Sequence, residues 1–180
     1  MNTLLAGRDT PMDDSERIGH HESSHVVFSF RSGAGIPDAG IDLNAPASEV
    51  GARGVGGVYL FDHDTELPEV EQQKRLLWNL AIICAGPASD AKFWGCSPEE
   101  ALRRQRGDTR DAHKCLDSSP LISTEDEKES VLKRALELAA QELEKPDVRD
   151  AIQKVARACL ANGGRLTKAQ IEEILQDLPI

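Results

Sequence analysis

Aromatic residues are scarce in this chain: Phe, Trp and Tyr together make up 4% of its 180 residues. A core with so few rings has to be filled by Leu, Ile, Val and Ala. Basic charge is also in deficit, with 21 Lys and Arg against 31 Asp and Glu, a net charge of −10 and a pI near 5.0. Such a surface argues against non-specific binding to nucleic acid or to an anionic membrane, because both need a basic face. Long apolar runs are missing as well. None approaches the roughly 18 residues of a membrane span. The start, Met1-Asn2-Thr3-Leu4-Leu5-Ala6-Gly7-Arg8, lacks the basic beginning and long apolar stretch of a signal peptide. There is no Cys-x-x-Cys pair. Cys84, Cys96, Cys115 and Cys159 are scattered, which fits four free, mostly buried thiols better than a disulfide framework or an all-cysteine zinc site. Internal repeats and low-complexity tracts are absent. A soluble, cytoplasmic location is the expectation.

What is present suits one globular domain: 39% apolar residues, 14 glycines and enough length to bury a core. Residues 1–9 read as a loose leader and residues 10–180 as a single domain. Its first half, about 10–118, holds the chemistry, and a helical part covers about 123–180. Thr10-Pro11-Met12-Asp13 reads as a helix start, with the helix running to about Arg31 and ending at Ser32-Gly33. Residues 36–64 are rich in Gly, Pro, Asn and Asp, and predict two or three short strands at Ile41–Leu43 and Val55–Phe61. A helical stripe returns near Val70 through Leu76, Leu77, Leu80, Ile83 and Cys84. Gly86-Pro87 is expected to break or kink it, leaving a short continuation to Phe93 before Gly95.

Further starts follow at Ser97-Pro98-Glu99-Glu100, at Gly107-Asp108-Thr109, at Thr124 with Glu127, and at Thr167 with Gln170. Between them lie amphipathic helices, one stopped by Pro146 and one closed by Gly163-Gly164. The fold class is mainly α, a zincin-like helical domain with a small β-hairpin inserted after the first long helix. The acidic run Glu125-Asp126-Glu127-Lys128-Glu129 reads as a solvated face.

One motif carries chemistry: His21-Glu22-Ser23-Ser24-His25, inside the first helix. Residues four apart share a helical face, so both imidazoles can reach one metal ion, with Glu22 about 100° around the axis leaning over the same site. Zinc takes such nitrogen ligands, lowers the pKa of a bound water to about 7, and leaves its proton to a neighbouring carboxylate. Ile18, His21, His25 and Phe28 form one stripe facing inward, and buried imidazoles need partners that a metal would supply. The adjacent His20 reads as solvated. The residue pattern leaves the third ligand open among His63, His113, Asp90, Asp108, Asp111 and several glutamates.

From His20 onward the chain resembles the peptidase domain of FtsH-type ATP-dependent zinc metalloproteases. The His-Glu-x-x-His helix is followed by Gly56-Gly57-Val58-Tyr59-Leu60, which resembles that family's Gly-Gly-aliphatic strand. Next comes Ala85-Gly86-Pro87-Ala88-Ser89-Asp90-Ala91 leading to Phe93-Trp94-Gly95, and then Gly107-Asp108-Thr109-Arg110-Asp111. The resemblance implies a Zn2+ cofactor held by His21, His25 and Asp111, with Glu22 as general base. It also implies that Gly56, Gly57, Val58 and Tyr59 line an extended polypeptide substrate. Asp108 is the rival for the third ligand, read more simply as a helix cap, and His113 is expected to face away. The chain departs from the family pattern at Ser23-Ser24 (Ala-Gly in the family), at Pro87 (Arg) and at Asp90-Ala91 (a Glu pair). It contains no Gly-x-x-x-x-Gly-Lys-Ser/Thr loop. The expected function is therefore zinc-dependent endopeptidase chemistry on unfolded or flexible polypeptides, without ATP-driven unfolding unless a separate ATPase partner supplies it. The family's rings imply self-association as a homo-oligomer. The alternatives are a catalytically inactive zincin-fold binding module and another cytoplasmic zincin, such as a repressor-cleaving peptidase, with a different third ligand.

Overall fold

The computed structural model describes residues 14–45, 55–56, 60–62 and 64–179. Over these the chain is mainly helical, in the order α1 (Asp14–Arg31), β1 (Ile41–Asp42), β2 (Val55–Gly56), α2 (Glu69–Trp94), α3 (Pro98–Arg104), α4 (Arg106–Asp117), α5 (Glu125–Glu144), α6 (Pro146–Ala161), β3 (Arg165–Leu166) and α7 (Lys168–Leu175). The expected cap at Thr10–Asp13 lies outside the described residues.

Helix α2 is the axis of the domain. It packs against α1 on one side and α5 on another, and α3 and α4 lean on its C-terminal half; α6 covers the far face of α1. This arrangement explains why α2 carries a nearly unbroken buried run from Asn79 to Ala91 and little amphipathic pattern of its own. The core is aliphatic as the composition requires: Val26, Val27, Leu80, Ile82, Leu136, Val148, Ile152 and Ile171 belong to it, and among the described residues Phe28 is the one fully buried Phe, Tyr or Trp. At the end of α1, Arg31 Nε donates to Glu142 of α5 at 3.0 Å. Its guanidinium reaches Asp147 of α6 at 3.2 Å, tying three helices at one corner.

The helix at Gly86-Pro87 differs from expectation. No break occurs, and α2 continues past Pro87 to a left-handed Gly95 cap. Proline removes one backbone donor, a local cost of a few kcal/mol, but burial of both flanks against α1 and α5 outweighs it. Local capping signals hold well. Ser97 accepts from Glu100 N–H, and both Thr124 with Glu127 and Thr167 with Gln170 form reciprocal capping boxes.

The hairpin inserted after α1 is present and antiparallel, with Ile41 opposite Gly56 and Asp42 opposite Val55. A third strand was not legible in the sequence. Arg165–Leu166, just beyond the Gly163-Gly164 turn, pairs antiparallel with the other edge of β1, giving the order β2-β1-β3. Gly40, with φ +63°, is what lets the chain enter β1: a Cβ there would lie 2.0 Å from the Leu166 carbonyl oxygen. The four cysteines carry free thiols, Cys84 and Cys159 buried and the other two half-buried. No described helix is long and apolar enough to cross a membrane.

Candidate metal centre

Helix α1 delivers the site. His21 and His25 stand one turn apart on its buried face, with 8% and 6% of their surface exposed, and Glu22 is equally buried between them. Their ring nitrogens are oriented by different partners. His21 Nδ1 lies 3.0 Å from Asp90 Oδ2, and His25 Nδ1 lies 2.8 Å from the Ile82 carbonyl oxygen of α2. A carboxylate and a carbonyl can only accept, so both Nδ1 atoms carry the proton and donate it. Both Nε2 atoms therefore face inward, where they lie 3.1 Å apart.

The carboxylate of Asp108 closes the triangle. Its Oδ2 lies 3.3 Å from His21 Nε2 and its Oδ1 3.5 Å from His25 Nε2. These three residues form a group able to hold one metal ion. Zinc bonds N and O ligands at about 2.0–2.2 Å, and a tetrahedron of that size has edges of about 3.3–3.6 Å. The two nitrogen–oxygen separations fall in that range, and the imidazole pair at 3.1 Å is slightly closer. Three electron-rich atoms this close in a buried site repel one another unless a cation or a proton lies among them.

The electrostatics carry the same message. Burial alone would lower the His21 pKa, but hydrogen bonds to Asp108 and Asp90 and the nearby charge of Glu22 raise it to about 10. Burial works against protonated His25 too, and the Asp108 carboxylate overcomes it to push this pKa up. Asp108 is raised by burial and more strongly lowered by the two imidazoles, which hold it below the usual carboxylate range. The Cys84 thiol, on α2 near Asp108, is pushed up by burial and stays protonated, so it offers no thiolate.

The structure therefore puts Asp108 where Asp111 was expected. Asp111 shows half of its side chain to solvent and pairs with Arg110 at 3.1 Å and Lys114 at 3.7 Å, while Asp108 shows 19%. The reason is where α4 begins. Gln105 is its N-cap, so Asp108 is the third helical residue rather than the cap, and its carboxylate sits against α1. Asp111 is one turn further along and extends past the site. His113 is exposed, as expected. His20 is not solvated: it is half-buried, with its ring edge-on to Phe93 at 5.6 Å. Asp90 is no ligand, because it meets His21 through Nδ1, on the far side of the ring. His63 lies outside the described residues. So do Gly57, Val58 and Tyr59, whereas Gly56 pairs in β2, beside α1.

Two features of the site are not evident from sequence pattern alone. Gly86, whose local signal is for a helix break, lies directly against the Nε2 atoms. Arg17, one turn before His21, makes two hydrogen bonds to the fully buried Asp90 at 3.0 and 3.1 Å. The i, i+4 spacing of Arg17 and His21 was the available signal, since both residues face the same partner. No protein-family model matches the chain, and no curated protein matches it in sequence.

Proposed function

We propose that this chain is a metallopeptidase that binds zinc through His21, His25 and Asp108 and uses Glu22 as its general base. The observation that carries the reading is the convergence of two inward-facing imidazole Nε2 atoms and one carboxylate at 3.1–3.5 Å, with Glu22 buried beside them. Bound zinc would supply Lewis acidity, polarising a peptide carbonyl and making water a better nucleophile near neutral pH. The remaining work falls to the chain's own groups. Asp90 and the Ile82 carbonyl hold the two imidazoles in the tautomer that presents Nε2. Glu22 takes the proton of the attacking water and returns it to the leaving amine.

The ligand set favours zinc on its donor chemistry, with nitrogen and carboxylate ligands and no thiolate. Substrate would be an extended polypeptide segment. Among the described residues β2 is the outer strand of its sheet, paired on one side by β1, which suits strand addition by a peptide. Strand addition needs an extended segment, so the fitting substrates are flexible or unfolded.

The experiment is a comparison of the parent with Glu22→Gln. Both should contain zinc by metal analysis, while cleavage of casein falls about 10²–10⁴-fold in the variant, the usual size of general-base catalysis. A zinc-loaded parent that cleaves no unfolded substrate would instead favour a binding module built on the same site.

A further inference from the structure

Asp90 is fully buried, and its Oδ2 atom is used three times. It accepts from Arg17 at 3.0 Å, from His21 Nδ1 at 3.0 Å, and from the Gln105 side-chain amide. The partners come from different parts of the chain. Arg17 and His21 belong to α1, whereas Gln105 is the hinge between α3 and α4, the C-cap of one and the N-cap of the other. The Gln105 carbonyl accepts the first backbone bond of α4, from Thr109 N–H at 2.9 Å. Three residues after Gln105 comes Asp108. One oxygen atom thus sets both the ring of the first metal ligand and the start of the helix that carries the third.

We propose that Gln105 is a positioning residue for the metal centre, which registers Asp108 against His21 through the shared Asp90 oxygen, and that Arg17 holds that oxygen in place. This rests on the metal-site reading above and adds what fixes its geometry. Gln105 suits the task chemically. A carboxylate only accepts, so the nitrogen end of the amide must face it, and the direction of the contact is set without ambiguity. Arg17 is itself held on two sides. It grips both oxygens of Asp90, and its guanidinium lies 5.2 Å from the centre of the Trp94 ring, with Arg104 at the same distance from that ring. If Gln105 loses its donor, the start of α4 keeps its packing on α2 and the Thr109 hydroxyl bond to the Leu102 carbonyl but loses its tie to Asp90, and the triangle of donor atoms loosens.

The test is metal affinity measured by chelator competition on the intact protein, with zinc as the probe. Gln105→Leu and Arg17→Met are each expected to bind zinc about 10–100-fold more weakly than the parent, the loss typical when a partner that orients a ligand is removed. Ser97→Ala serves as a control. It removes the cap of α3 without touching Asp90, so it should lower the melting temperature and leave zinc affinity unchanged. Equal affinity in parent and Gln105→Leu overturns the proposal, whatever happens to stability. So does a Ser97→Ala variant that loses as much affinity as Gln105→Leu, since loosening the corner would then be enough. A parent that binds no zinc sinks the metal-site reading together with this one. A parent that binds zinc but cleaves nothing leaves the affinity comparison intact.

Discussion

Gly86 lies under His25: a Cβ on this glycine would sit 2.4 Å from His25 Nε2 and 2.6 Å from His21 Nε2. The backbone of α2 therefore forms the floor of the site, and the glycine is there for close approach rather than for a turn. Its effect on the helix alone is unfavourable, by about 1 kcal/mol relative to alanine.

Gly86→Ala should consequently separate two quantities. Helix propensity gains, while the new methyl group drives into two buried rings that cannot swing away without losing Asp90 and the Ile82 carbonyl. Zinc affinity is expected to fall at least about 10–100-fold, the size seen when ligand orientation is disturbed. Chelator competition checks it. An alanine variant that binds zinc as the parent does would show that the rings tolerate the methyl group.

Helix caps and the buried histidine stripe were legible because they are local. Ser97, Thr124 and Thr167 each need only a partner three residues away, and His21 and His25 need only the period of α1. The site's completion is not local. Asp108 and Asp111 are three residues apart, about 60° from one another around the axis and about 4.5 Å along it. Sequence periodicity places both on nearly the same face. Which one meets the histidines depends on how far α4 has slid along α1 and α2, and that is decided at Gln105 by a contact to Asp90, 15 residues earlier. The same blindness hid β3. A two-residue strand has no period to read, and it forms because β1 leaves an edge open beside the Gly163-Gly164 turn. Gly86-Pro87 misled for the opposite reason: the local signal for a break is real, and tertiary packing overrides it.

Asp108→Ala and Asp111→Ala give a paired test of that placement. Removing Asp108 takes away a ligand atom and leaves two imidazoles, so zinc affinity should fall by more than the roughly 10–100-fold that an outer partner costs. Asp111 is half exposed and, among the described residues, paired with Arg110 and Lys114, so its removal should change stability by less than about 0.5 kcal/mol and leave zinc bound. Metal content after gel filtration reads both. The reverse pattern would return the third ligand to Asp111.

Ser23 offers a test of packing rather than chemistry. Among the described residues its hydroxyl is the one buried side-chain polar atom without a hydrogen-bond partner, whereas the neighbouring Ser24 donates to the His20 carbonyl at 2.7 Å. A buried orphan hydroxyl costs about 1–3 kcal/mol, and alanine is also the better helix former. Ser23→Ala should stabilise the protein by about 1–2 kcal/mol in chemical denaturation, with zinc affinity unchanged. Destabilisation would mean that the hydroxyl has a partner after all.

Proton and metal compete for the same atoms, so acidity should govern both loading and stability. In the metal-free protein His21 has its pKa raised from 6.5 to about 10: burial opposes the shift, and Asp108 and Asp90 overcome it. A raised pKa means that folding favours the protonated ring. The stabilisation is fully present below about pH 6.5 and is lost as pH climbs towards 10. The melting temperature of chelator-treated protein should therefore fall across that window. With zinc bound the metal takes the proton's place, so the loss should be smaller. At pH 7 the metal-free ring holds its extra proton, and zinc binding must expel it. Calorimetry in buffers of different ionisation enthalpy should then show proton release, and apparent affinity should rise about tenfold per pH unit for each proton displaced. Affinity that stays flat between pH 6 and 8 would mean that His21 Nε2 is already bare before the metal arrives.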